Sequence, residues 1–255
     1  MKTKNKEVGY KKAGIVGVPP LTIIKELGDA GTEIYDLDEP QQGININRAD
    51  SIIPRVYCAI IRTVVVNALY LDLDVIYMDT GPGKCDSSLN TSFILEKLLD
   101  IPVIRTKNHD HIPYGYPLCR SHMPLTEKIR RITGLVTSTS SPAQGEYPPS
   151  LPTAGFWGVP PRNLSLLEPF PATTHIYGWT RCMENKTPAD TELELYYNPD
   201  IPTVFFAQSF CPKTSIAKFL ASRHPSALYL DVDTRGGSSA KAKIEAFLEL
   251  SGVKK

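Results

Sequence analysis

The octapeptide AGIVGVPP at 13–20 returns as AGFWGVPP at 154–161, identical at six of eight positions. Repetition this close, in the opening of each half, says that the second half restarts the first, and two similar halves fold as two similar units. Between them, residues 134–153 (GLVTSTSSPAQGEYPPSLPT) carry the Ser, Thr, Pro and Gly content of an exposed connection. The division that follows is a first lobe over 1–133, a linker over 134–153 and a second lobe over 154–255.

The order of signals repeats as well. DVIYMDTGPGKCDSSLNTSFILEKLLDIPVIRT can be laid against IPTVFFAQSFCPKTSIAKFLASRHPSALYLDV, and both read strand, cysteine, helix, strand. Unbroken apolar, β-rich runs at 75–78 and 204–206 precede Cys85 and Cys211, and apolar residues at helical spacing follow them. Short apolar runs at 101–104 and 227–230 close each unit. Strands without polar alternation suit a parallel sheet covered on both faces. The expected fold is therefore α/β, with two doubly wound parallel-sheet (Rossmann-like) lobes related by internal duplication and facing across a cleft. The echo of ALYLDLD at 68–74 in ALYLDVD at 227–233 is coincidental, because the first precedes its cysteine-bearing strand and the second follows one.

Charge excludes one class of partner. Lys and Arg total 28 against 27 Asp and Glu, a formal charge of +1, which provides no basic field for nucleic acid. The basic opening MKTKNKEVGYKK leads to an apolar run broken by Gly17 and by Pro19 and Pro20, so no signal peptide is expected. The apolar stretch at 58–71 contains Arg62 and Asn67 and is too short to span a bilayer. A cytoplasmic protein without a membrane partner is expected. Its five cysteines lie too far apart for a dense disulfide scaffold, which makes them thiols or ligands.

Cys85 and Cys211 belong, on this reading, at the carboxyl ends of parallel strands, where functional groups of such sheets gather. Thiolates from separate loops can hold an iron-sulfur cluster, and a helix amino terminus just after the cysteine stabilises the thiolate. Buried structural thiols are the alternative. No CxxC pair is present, and GPGKC lacks the spacing and the Ser or Thr of a phosphate loop, so ATP hydrolysis by this chain is not expected. A cysteine nucleophile with His109, His111 or His175 as base remains open. His109 and His111 are either metal ligands or part of a solvated loop. Asp86, Ser87 and Ser88 either cap the helix after Cys85 or hydrogen-bond cluster sulfurs, and Arg62 either neutralises a cluster or faces solvent. Trp157 and Trp179 read as core, and no ligand role is expected for Cys119.

Taken together, YCAIIRTVV around Cys58 and Arg62, KCDSSLNTSFILEKLLDIPVI, TVFFAQSFCPKTS and the terminal KIEAFLE at 243–249 resemble the 2-hydroxyacyl-CoA dehydratase and benzoyl-CoA reductase family, of the 2-hydroxyglutaryl-CoA dehydratase D-component type. The resemblance is collinear over nearly the whole chain. It implies a 4Fe-4S cluster on Cys58, Cys85 and Cys211; Cys182 has no counterpart among those ligands and is either a fourth ligand or a structural thiol, and Arg62, Asp86 and Ser87 are the candidates for contacts around the cluster. It also implies single electrons from an ATP-hydrolysing iron-sulfur activator, an acyl-CoA substrate and a paired homologous subunit. The chain is shorter than the family's catalytic subunits, Lys243 stands where an Arg is expected, and Pro212-Lys213 replaces an Asp-Pro pair. A non-catalytic electron-transfer protein and a cluster-free small-molecule-binding protein are the alternatives.

Overall fold

The computed structural model describes residues 9–110, 115–140, 142, 145–187, 191–233 and 237–254. In the first half, β1 (Lys12–Val16), α1 (Leu21–Asp29), β2 (Glu33–Asp36), α2 (Ala59–Tyr70), β3 (Val75–Asp79), α3 (Asp86–Leu98) and β4 (Val103–Thr106) alternate along the chain. The strands pair in parallel in the order β2-β1-β3-β4. Along β3 only Tyr77 is partly exposed, which is why VIYMD reads as an unbroken apolar run. Packing also decides α2. Val64, Val65 and Val66 are poor helix formers, yet all three are buried in a helix that is apolar nearly all round. Burying one such side chain contributes about 1.5–3 kcal/mol, more than the few tenths its propensity costs.

After α4 (Pro117–Arg120) and α5 (Leu125–Gly134), the second half runs β5 (Gly155–Gly158), β6 (His175–Tyr177), α6 (Trp179–Glu184), α7 (Thr191–Leu195), β7 (Thr203–Gln208), α8 (Lys213–Arg223), β8 (Ala227–Val232) and α9 (Ser238–Leu250). Its sheet is also parallel, in the order β6-β5-β7-β8, which matches the first sheet strand for strand. Where the first half has α1, the second has only a 3-10 turn at Leu164–Leu167.

Residues 117–133, read from sequence as the end of the first lobe, pack on the second sheet: Leu118, Leu125, Ile129 and Ile132 share a cluster with Phe156 and Ile176. Lys128 Nζ donates to the Thr174 carbonyl at 2.6 Å, and the Glu184 carboxylate accepts from the Leu118 and Cys119 amides at 2.6 and 2.9 Å. The connection that follows is tied down by a bridge between Ser121 and Pro149. That cluster also takes in Ile15, Val18 and Ile24 from the first half, so the two sheets rest on common apolar ground.

The repeated octapeptide forms β1 with its following turn, and β5 with its own. Gly17 and Gly158 occupy equivalent places at φ +75° and +152°, a region L residues avoid. A Cβ on Gly158 would lie 2.3 Å from the Phe206 carbonyl oxygen of neighbouring β7. Gly158→Ala should therefore cost about 2–3 kcal/mol in urea unfolding, the range of core overpacking. Gly252→Ala, left-handed at φ +73° but with nothing within 4 Å, should cost only the backbone penalty of about 1–2 kcal/mol. Equal losses would show that the close β5–β7 approach is not what demands glycine.

Candidate functional site

A cavity of about 500 Å³ opens where the carboxyl ends of the two sheets meet. Cys58 and Cys85 reach it from the first half and Cys211 from the second. Each stands at the start of a helix: Cys58 is the N-cap of α2, Cys85 the N-cap of α3, and Cys211 precedes Pro212, the N-cap of α8. The residue before Cys211, Phe210, is in the left-handed region at φ +63° and is 55% exposed. Such a conformation is an outlier for an aromatic residue and marks a turn held by its surroundings, here the one that carries Cys211 to the cavity.

Cys58 and Cys211 stand side by side. The Cys211 thiol, as hydrogen-bond donor, lowers the Cys58 pKa to about 7; burial opposes this and the Ile61 and Ile60 amides assist it. Cys211 moves the other way, raised far above the ordinary thiol value first by its bond to Cys58 and then by burial. Of the two thiols, Cys58 is thus the one on which negative charge is favoured.

Charged groups of both signs line the same space. Asp79, fully buried at the end of β3, accepts through Oδ1 from the Gly81 and Asn108 amides at 3.1 Å, and its Oδ2 lies 3.5 Å from Lys84 Nζ. Lys84 Nζ sits 4.5 Å from the centre of the Trp179 ring, and Lys213 Nζ approaches that ring at 4.6 Å. Lys213 is paired with Glu194, whose own carbonyl is held by Trp157 Nε1 at 2.8 Å. Asp38 accepts from the Gly17 amide at 2.7 Å, and its backbone carbonyl from Arg162 Nη1 at 3.2 Å. Burial raises the pKa of Asp38 and Glu39.

The turn after β1 is closed to phosphate. Pro19 and Pro20 have no N–H, the Leu21 amide donates to the Asp110 carboxylate at 2.8 Å, and Asn108 Nδ2 donates to the Val18 and Pro19 carbonyls. The loop containing His109 therefore fastens this turn through its Asn and Asp. His111 lies outside the described residues. His175 is buried on the second sheet, its ring against the Ser150 carbonyl at 2.9 Å; burial lowers its pKa to about 4, and it does not line the cavity.

Several expected roles change. Arg62 neither faces solvent nor lines the cavity: it is buried and its Nη2 donates to Asp50 Oδ1 at 2.5 Å. Asp86 and Ser87 do not line the cavity, and the N-cap of their helix is Cys85 itself; Ser88 does line it and donates to the Asp79 carbonyl at 3.2 Å. Cys182 is fully buried within α6, away from the lining. Trp157 is core, as expected, and Cys119 is buried beside Glu184. Trp179, read as core, packs against it and also lines the cavity, while Lys84, Lys213, Asp38 and Arg162 were missed. The sequence held one signal for the lysines, since each lies within two positions of a cavity cysteine.

Among the described residues, no three His, Cys, Asp or Glu side chains form a ready-made metal-binding group. The donor chemistry nevertheless suits an iron-sulfur cluster: three thiols border one cavity, and the pKa of one of them, Cys58, is lowered. No helix among the described residues is long and apolar enough to cross a membrane. No protein-family model matches the chain, and no curated protein matches it.

In metal-free protein, Cys58 alkylation should rise with a midpoint of about pH 7. Cys211→Ala removes the donor and should move that midpoint upward toward the ordinary thiol range. An unchanged midpoint would mean that Cys211 does not stabilise the thiolate.

Proposed function

We propose that the cavity carries a 4Fe-4S cluster on Cys58, Cys85 and Cys211. Single electrons, received from an ATP-hydrolysing iron-sulfur activator, pass through this chain to an acyl-CoA-type substrate. The observation that carries this reading is that these three cysteines line one cavity, while Cys119 and Cys182 are buried outside its lining. They are the three that the family resemblance implies. When bound, such a cluster supplies electrons singly and an iron with a free coordination position.

The chain's own residues support that chemistry. Backbone amides at the starts of α2 and α8 stabilise negative charge on Cys58 and Cys211. Lys84 and Lys213 supply positive charge beside Cys85 and Cys211. Ile60, Ile61, Met183 and Ile216 limit water in the cavity. Asp38, held through Oδ2 by the Gly17 amide, keeps a proton to higher pH than a surface carboxyl does and can deliver it from Oδ1 to a departing hydroxyl.

The matching strand order of the sheets and the equivalent places of the two octapeptides support an internal duplication, with the cavity as the cleft between lobes. A cytoplasmic location and a paired homologous subunit belong to the same reading. A cluster-free thiol protein that binds a small molecule is the second reading, favoured by the pairing of Cys58 with Cys211 without Cys85.

Anaerobic purification followed by iron and sulfide determination separates the two. About four irons and four sulfides per chain, with broad brown absorbance lost in Cys85→Ala and kept in Cys182→Ala, is the expected result. A folded, colourless chain that takes up no iron on reconstitution would overturn the cluster.

A further inference from the structure

Two lysines from different halves converge on one indole inside the cavity. Lys84 follows β3 and Lys213 opens α8, and their Nζ atoms stand 4.5 and 4.6 Å from the centre of the Trp179 ring. Each is held by a carboxylate of its own half, Asp79 or Glu194. An ammonium has three donors, and one carboxylate contact leaves donors over. The shortage of partners is plainest at Lys84. Its side chain is only 9% exposed, its distance to Asp79 is 3.5 Å, and Asp79 Oδ2 has no hydrogen-bond partner. Charge-assisted hydrogen bonds are normally 2.7–2.9 Å, about half an ångström or more shorter than this contact. Lys84, nearly buried, and Lys213, about a fifth exposed, are like charges beside one ring, and an anion placed between them stabilises both.

We propose that Lys84 and Lys213, seated on Trp179, form the subsite for the carboxylate of a small organic acid whose apolar body lies against Ile60, Ile61 and Ile216. This rests on the reading of the cavity as the reaction site and adds to its substrate a free carboxylate at the end of the acyl part remote from the thioester. Two ammonium groups match the two oxygens of a carboxylate. The apolar walls call for a hydrocarbon body that inorganic phosphate lacks. The helix terminus that would cradle a phosphate, at Leu21, is occupied by Asp110. Trp179 acts in two ways, as the platform that aligns the lysines and as an apolar face for the ligand.

Calorimetric titration of the purified chain with hexanoate tests this, with hexanol and inorganic phosphate as separate arms and iron determined in every sample. Hexanoate should bind, hexanol and phosphate should bind far more weakly, and Lys213→Gln should reduce hexanoate affinity by about tenfold or more. Lys84→Met leaves Asp79 buried and unpaired, so the double variant Lys84→Met with Asp79→Asn is used at that position and should show a comparable loss. No hexanoate binding, equal binding of hexanol or phosphate, or binding indifferent to Lys213→Gln would each overturn the subsite. Loss of iron in Lys213→Gln with hexanoate binding unchanged would show that the lysines serve only to balance thiolate charge, which overturns the subsite and leaves the cluster standing. Lysine-dependent hexanoate binding by a chain that takes up no iron would support the subsite and overturn the cluster.

Discussion

The apolar contact between the two halves is the constraint on which the site depends. Ile15, Val18 and Ile24 are buried in the same cluster as Phe156, Ile176 and Val204, and Cys211 itself packs with Val16 and Ile61. Close packing of this kind has few alternative solutions, because a shift of one sheet against the other opens voids on both. The carboxyl ends of the two sheets are therefore held against one another, and loops distant in sequence meet there. Polar groups at the seam follow the same geometry, as Arg162 shows by donating to the carbonyl of Asp38.

From that seam comes the chemistry of the cavity. Cys58 and Cys211, from opposite halves, are hydrogen-bonded to each other, while each lysine stands on one indole with a carboxylate from its own half. Charges interact more strongly in such an enclosed space than at a surface, so pairing is required of every group placed there. Lys84 and Asp79 meet this requirement incompletely, at 3.5 Å and with one carboxylate oxygen unbonded. Incomplete satisfaction at the most buried pair is what a ligand can relieve.

Features governed by local pattern could be read from the sequence. The octapeptide located the matching openings of the two halves, and apolar runs located β3, β4, β7 and β8. The position of cysteines at strand ends also followed, because a strand, a turn and a helix are adjacent in the chain. Features set by distant contact could not be read. Residues 117–134 carry no mark of the sheet they cover, since an amphipathic helix reports its apolar face and not its partner. Arg62 lies one turn beyond Cys58, but the Asp50 carboxylate draws it away from the cavity. Cys85, and not Asp86 or Ser87, falls at the N-cap position of α3, where its side chain makes no capping bond, because the turn after β3 starts the helix one residue before the better capping chemistry. Trp179 read as core because nothing nearby in sequence announces two lysines that arrive from β3 and α8.

Mild oxidation of the metal-free chain, followed by alkylation and peptide mapping by mass spectrometry, tests most directly whether the halves meet as described. Cys58 and Cys211 are separated along the chain by most of both halves, so a disulfide between them forms readily only if their loops already lie together. The expected product is one linked peptide joining Cys58 to Cys211, with Cys119 and Cys182 alkylated only after denaturation. Cys58 and Cys211 recovered separately, or joined to other cysteines, would contradict the arrangement of the two sheets and, with it, the shared cavity.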